Sequence, residues 1–254
     1  FINSPQAVDD SYCYSEDALR NSSLYNATTR AVTLDVMSDD LGGSAKSLFS
    51  IDDGNGNVLG PDFELLCKDV NTSGCSAWEK TPDGNWIRIN NGKIEFKLGN
   101  PEYPDDPTRA LDLNSLGTDR SVDDEFVYAI RLANGTLSQA TVHIHITGEN
   151  DAVELGAVTD ATINDTAAND AIDDILGKLT SSDVDFGDTP TYGLGGSVPS
   201  DDSDYQVMKV TAYGTLYLNT ETGDYKFVAN NAAIQELDSH DATVALDFSV
   251  SVTD

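Results

Sequence analysis

The sequence predicts an all-β protein built from two tandem antiparallel β-sandwiches, the first over residues 1–150 and the second over 151–254. Three observations carry this. Short stretches in which apolar and polar residues alternate recur along the whole chain, and none sustains a helical period. Clusters of Gly, Asp and Asn separate them, as turns between strands require. The second half also repeats the order of features in the first.

In the first half, residues 1–12 read as an extended lead-in, followed by Ser15-Glu16-Asp17. Ala31–Met37 is a strand ended by Ser38-Asp39-Asp40-Leu41-Gly42-Gly43, and Ser47–Ile51 is a strand ended by Asp52-Asp53-Gly54-Asn55-Gly56-Asn57. Leu65–Trp78 contains a cysteine loop. Trp86–Asn90 and Lys93–Leu98 alternate on either side of Asn91-Gly92, a hairpin signal because both turn positions must reach positive φ. Three prolines make residues 99–110 an irregular loop, and Leu111–Leu116 reads as one helical turn. Phe126, Tyr128, Ile130 and Leu132 alternate along a strand that turns at Ala133-Asn134-Gly135 and returns over residues 140–147.

The stretch Thr141–Val158 joins the halves. Val142, Ile144 and Ile146 alternate with polar residues, the strand stops at Gly148, and Glu149-Asn150-Asp151 follows. Beyond it lie strands over Ile175–Leu179, Thr189–Leu194 and Gln206–Ala212, a hairpin of 214–218 with 225–228, and a helical turn at Ala232–Leu237. Val244–Val252 has the cleanest half-buried alternation in the chain. The first half adds another strand after its equivalent of this one. The second half therefore reads as lacking its last strand, with an open edge, in a chain that continues past Asp254 and is a piece of a longer protein.

Charge narrows the function. The chain of 254 residues has 14 Lys and Arg against 44 Asp and Glu, a formal net charge of −30. That excludes nucleic acid, whose phosphates need basic partners, and disfavours an anionic membrane surface. No apolar run is long enough to insert as a membrane helix. Asp outnumbers Glu 34 to 10, and Asp in loops is both a turn residue and a calcium ligand. The alternative is a solvated acidic surface with no bound ion. Of three cysteines, Cys67 and Cys75 flank the polar loop KDVNTSG and would close a disulfide in an oxidising compartment, with Cys13 left over; free thiols are the alternative.

Several segments together resemble the VCBS/cadherin-like tandem repeats of large type I-secreted bacterial RTX adhesins. They are Asp183-Val184-Asp185-Phe186-Gly187-Asp188, Tyr213–Leu216, the Asn230–Ala233 turn, Phe248–Asp254, the Gly148–Ala152 junction and, in the first half, Asp35–Gly43 and Phe126–Gly135. The resemblance implies Ig-like/cadherin-like sandwiches, location outside the cell or on the bacterial cell surface, and neighbouring repeats of the same chain as partners. It also implies Ca2+ at the junction. Glu149, Asn150 and Asp151 would converge there with Asp183, Asp185 and Asp188, with Asp119 as the preceding acidic turn and Glu16 as a further partner. The cysteine loop and the proline-rich loop depart from the compact repeat.

The function implied is a calcium-stiffened extender segment of an adhesin acting in cell adhesion and biofilm. The alternative is a module binding a host-cell or biofilm glycan or protein through the insertions Leu65–Glu79 and Gly99–Ala110, with Trp78, Trp86 and Tyr103 as exposed aromatics, although Trp86 reads better as a core or strand-packing residue. An accessory domain of a secreted hydrolase would look similar. His143 and His145 share a strand face as zinc ligands can, but His240 is the only other histidine, and an exposed polar face explains them. No nucleophile motif is present, and Asp123 and Asp124, adjacent on a strand, point to opposite faces. No enzyme activity is expected.

Overall fold

The computed structural model describes residues 6–52, 65–66, 68–166, 168–169, 171–237 and 243–254. The chain divides into two compact units, Phe1–Asn150 and Asp151–Asp254.

Among the described residues unit one has nine strands. They are β1 (Asp10–Ser15), β2 (Tyr25–Asn26), β3 (Ala31–Leu34), β4 (Lys46–Asp52), β5 (Glu79–Lys80), β6 (Trp86–Asn90), β7 (Lys93–Lys97), β8 (Ser121–Leu132) and β9 (Leu137–Thr147). They form two sheets, in the orders β1-β9-β8-β4 and β2-β3-β7-β6-β5. The inward faces of both sheets meet in one core that includes Leu34, Ile51, Ile87, Phe96, Tyr128, Ile130, Val142 and Ile146. The alternation along β8 and β9 follows: Phe126, Tyr128 and Ile130 and Val142, Ile144 and Ile146 turn inward and are buried, while Asp123, Glu125, Arg131, His143 and Thr147 turn outward; Asp124 is the charged exception on the inward side.

The Asn91-Gly92 hairpin forms as expected, with φ of 51° and 76° at its two turn residues and Ile89 opposite Ile94. The helical turn expected over Leu111–Leu116 is a 3-10 turn at Leu113–Ser115. Two features differ from expectation. The lead-in becomes β1, which pairs parallel to β9 with Asp10 opposite Val142 and Ser15 opposite Thr147; every other pairing of strands among the described residues is antiparallel. Ser15 then caps a short helix, α1 (Glu16–Arg20), its hydroxyl accepting from the Ala18 N–H at 3.3 Å. α1 is too short for periodicity to betray it.

Strand β4 carries a β-bulge. Leu48 faces Ile130 and Ser50 faces Ala129, so Phe49 is the extra residue without a partner in β8. The cysteine loop docks on this bulge: the Asp69 N–H donates to Phe49 O at 3.2 Å and Asp69 Oδ2 accepts from the Ile51 N–H at 2.8 Å. Its other flank is tied to the hairpin tip, where Asn91 N–H donates to Gly74 O at 2.9 Å.

Unit two contains β10 (Glu154–Leu155), β11 (Ile175–Lys178), β12 (Ser181–Ser182), β13 (Thr191–Leu194), β14 (Val198–Pro199), β15 (Val207–Thr211), β16 (Gly214–Leu218), β17 (Asp224–Ala229), the short helix α2 (Asn231–Gln235) and β18 (Val250–Thr253). The main sheet runs β11-β17-β16-β15-β14, with β13-β18 and β10-β12 as separate pairs. Leu179, Tyr192, Leu194, Leu216, Leu218 and Phe227 make the core, with Leu246, Phe248, Val250 and Val252 packed on it.

The alternation of Val244–Val252 is therefore right about which side faces inward from Leu246 onward, yet only Val250–Thr253 joins a ladder, against β13. A strand is defined by its neighbour's hydrogen bonds as well as its own pattern. Among the described residues no second strand flanks β18, whereas its counterpart β8 lies between β9 and β4. Both units are thus all-β sandwiches, the class the alternation predicts.

Candidate functional site

In unit two the acidic loop after β12 is shaped by its own carboxylates. Asp183 Oδ1 accepts from the Asp185 N–H at 2.9 Å, an Asx turn that bends the chain. Gly187, at φ 95°, turns it back. Asp185 Oδ2 accepts from the Asp151 N–H at 2.9 Å, which brings the start of unit two to this loop. Ligand oxygens of Asp183, Asp188 and Asp254 all lie within 4.8 Å of one another.

Asp185 is buried and Asp183 half-buried. Asp185 Oδ1 and Asp183 Oδ2 are both shielded from solvent and have no hydrogen-bond donor among the described residues. Burial pushes the Asp185 carboxyl above the usual range; the Asp151 N–H opposes this, while the charges of Asp151, Asp183 and Asp188 add to it. A group of carboxylates that repel one another, with buried oxygens lacking donors and no nitrogen or sulfur among them, has the chemistry of a hard-cation site.

Asp151, Asp183, Asp185 and Asp188 were all legible from the sequence as one acidic set. Asp254 was not. It reaches the cluster through the β13–β18 ladder, which sets Thr191 opposite Thr253, and only that long-range pairing reveals it.

In unit one, the expected residues collect at one end of the first sheet. Thr147 is opposite both Ser15 and Ser121, so Glu16, Asp119 and Glu149 each lie a few residues beyond the same row. Gly148 N–H donates to Arg120 O at 2.9 Å and Glu149 N–H to Leu116 O at 3.0 Å. Glu16 is only 1% exposed, while Asp119, Glu149 and Asn150 are exposed.

The expected aromatics fare differently. Trp86 is 7% exposed, which fits its reading as a packed strand residue and not as an exposed contact residue. The register places it between Lys80 and Lys97, with Lys80 Nζ 5.9 Å from its ring centre. Trp78 is half-buried, with the Arg88 guanidinium 4.5 Å and the Lys97 ammonium 4.6 Å from its ring centre. Tyr103 is 41% exposed and stacks with Arg109 at 4.2 Å.

A cavity of about 430 Å³ opens in unit one between the bulge of β4, the hairpin tip and the cysteine loop. None of the three aromatics named above lines it. Phe49, Val70, Ile89, Lys46, Lys68 and Arg131 do.

His143 and His145 pair across the exposed face with Glu125 (3.1 Å) and Asp123 (2.5 Å); His240 lies outside the described residues. Asp124 points the other way and is buried, accepting from Thr81 Oγ1 at 2.6 Å and Asn85 Nδ2 at 2.8 Å. The two adjacent carboxylates are therefore on opposite faces, as the strand pattern requires. Cys67 lies outside the described residues, so its pairing with Cys75 stays an expectation; Cys75 Sγ is 3.1 Å from Asn90 Oδ1, and Cys13 is exposed.

Fold and site together define an all-β chain of two sandwiches with an oxygen-rich acidic cluster. No protein-family profile matches it, and no curated protein matches it. Among solved structures it is similar to murine CEACAM1b, at 13% identity and a TM-score of 0.25 over 88% of this chain and 80% of that one. It is also similar to protocadherin gamma B2 extracellular cadherin domains 3–6, at 17% identity and 0.26 over 65% and 35%, and to a protocadherin gammaB7 EC3-6 cis-dimer structure, at 14% and 0.27 over 93% and 43%. The chain spans less than half the length of the two protocadherin chains. At these TM-scores the likenesses carry no argument about function.

Proposed function

We propose that this chain is a calcium-stiffened extender segment of a secreted bacterial cell-surface adhesin, one that spaces a distal binding module from the cell. The observation that supports the calcium reading is the pair of shielded, donor-less oxygens on Asp183 and Asp185 inside a cluster that also holds Asp151, Asp188 and Asp254. Asp151, Asp183, Asp185, Asp188 and Asp254 would hold the ion, and Ca2+ supplies the positive charge that offsets their repulsion. Asp151 is the first residue of its unit, so an ion held there restricts the chain where one unit passes into the next. The adhesin assignment, its place on the bacterial surface and its role in biofilm rest on the sequence resemblance. Neighbouring repeats of the same chain are its partners.

The test is a melting curve of the whole chain with excess Ca2+ and with excess chelator. A rise in melting temperature with calcium is expected; identical curves would sink the reading.

A second reading, a module that binds a glycan or protein through unit one, is favoured by one observation. The cysteine loop, an insertion relative to the compact repeat, supplies a wall of the cavity beside β4.

A further inference from the structure

The cavity between the β4 bulge, the hairpin tip and the cysteine loop has an unusual charge for this chain. Among the described residues its lining carries Lys46, Lys68 and Arg131 and no Asp or Glu, in a protein with 44 acidic and 14 basic side chains. Its volume of about 430 Å³ falls in the range of small-ligand sites.

The three cations are not equivalent. The Lys46 ammonium already donates to Met37 O at 2.5 Å and to Asp40 O, so it contributes charge more than free donors. Lys68 and Arg131 are exposed. The Arg131 guanidinium lies 5.9 Å from the Phe49 ring centre. Phe49 is the extra residue of the bulge; a bulge gives up a ladder position and re-aims a side chain. The insertion is bonded to that same residue, through Asp69 N–H to Phe49 O. Val70 and buried Ile89 add apolar surface. The site thus offers an aromatic ring and apolar wall at the foot of two exposed cations.

We infer that this cavity binds a saccharide bearing a carboxylate, a hexuronate unit, with the sugar ring against Phe49 and the carboxylate between Lys68 and Arg131. The inference rests on the second reading above and gives it a place and a ligand class. Sugar rings present an apolar face that an aromatic ring covers, and Arg and Lys recognise the carboxylate through charge-assisted hydrogen bonds.

The experiment is calorimetric titration of the whole chain with tetragalacturonate and with the neutral tetragalactoside. The expected result is binding of the uronate that weakens with added salt, with the neutral oligomer at least about tenfold weaker. The K68Q/R131Q double variant, whose side chains are exposed, should lose at least about tenfold in uronate affinity with an unchanged melting temperature; F49A should weaken both. Equal affinity for the neutral oligomer overturns the ligand class. Undiminished uronate binding by K68Q/R131Q overturns the location while leaving the second reading standing, more so if removing residues 99–110 abolishes it. No binding of either oligomer overturns the inference, and a glycan array without hits would remove the glycan form of the second reading as well.

Discussion

The phenol oxygen of Tyr128 lies 3.1 Å from Asp10 Oδ2, with both residues buried. The same oxygen is 3.1 Å from each carboxylate oxygen of Asp40, 3.1 Å from Val8 O and 2.9 Å from Val36 O. Backbone carbonyls only accept, and one phenol carries one proton. Five acceptor oxygens therefore surround a single donor, and negative charge is costly here. Burial is the main cause that lifts Asp10 to about 7, aided by the charges of Asp39 and Asp40 and opposed by the Tyr128 hydrogen bond. Asp40 is also raised by burial, against the Val8 N–H, Tyr128 and Lys46. Burial, then Asp10 and Asp40, raises Tyr128.

The sign follows from linkage. A carboxyl whose folded pKa lies above its unfolded value binds more protons folded than unfolded, so its contribution is full below the unfolded value, near 4, and is lost as pH rises through about 7. Denaturant unfolding of the chain at pH 5 and pH 8 should show unit one weaker at pH 8, and Asp10→Asn should remove on the order of 2 kcal/mol of that difference. An Asn variant with the full wild-type pH dependence would refute Asp10 as the titrating group.

Asp185→Asn should act in opposite directions with and without the ion. In chelator it removes one of four mutually repelling carboxylates, and the melting temperature should rise by a few degrees, about what 1 kcal/mol gives in a domain of this size. In calcium it removes a ligand, and the calcium-induced rise should shrink or vanish. A variant that melts lower under both conditions would show Asp185 to be structural only.

Gly148 closes the last strand-and-turn of unit one. A Cβ at this position would sit 2.2 Å from Gly117 O, 2.5 Å from Leu116 O and 2.6 Å from Arg120 O. All three are backbone, so nothing swings aside. Gly148→Ala should cost about 3 kcal/mol, read as a shift in denaturation midpoint at unchanged m-value.

Asn85→Ala should cost about 1–3 kcal/mol. It strips one donor from buried Asp124 and leaves the Gly99 N–H, now bonded to Asn85 Oδ1 at 3.0 Å, without its acceptor. Because Asp124 is on β8 and Asn85 precedes β6, this side-chain tie joins the two sheets. The loss should ease toward acid pH as the Asp124 carboxyl, which burial holds above the usual range, takes up a proton; a pH-independent cost would argue that the Gly99 contact dominates.

What the sequence determined by itself is what short-range chemistry determines. Alternation decided which side of β6, β7, β8, β9 and β16 is buried. Asn91-Gly92 decided one turn, since few other pairs reach those φ values. The spacing of Asp183, Asp185 and Asp188 grouped three carboxylates before any fold was known, because a single loop holds them. The tertiary structure decided everything that depends on a distant neighbour. Ladder pairing brought Asp254 to the acidic loop, left most of Val244–Val252 outside a ladder, and ran β1 parallel to β9. The register decided what covers Trp86, setting it between Lys80 and Lys97. The bulge that frees Phe49 is likewise a two-strand property: it exists only when Leu48 and Ser50 meet Ile130 and Ala129. A hydrogen-bond ladder has two sides, and one chain segment carries only one of them.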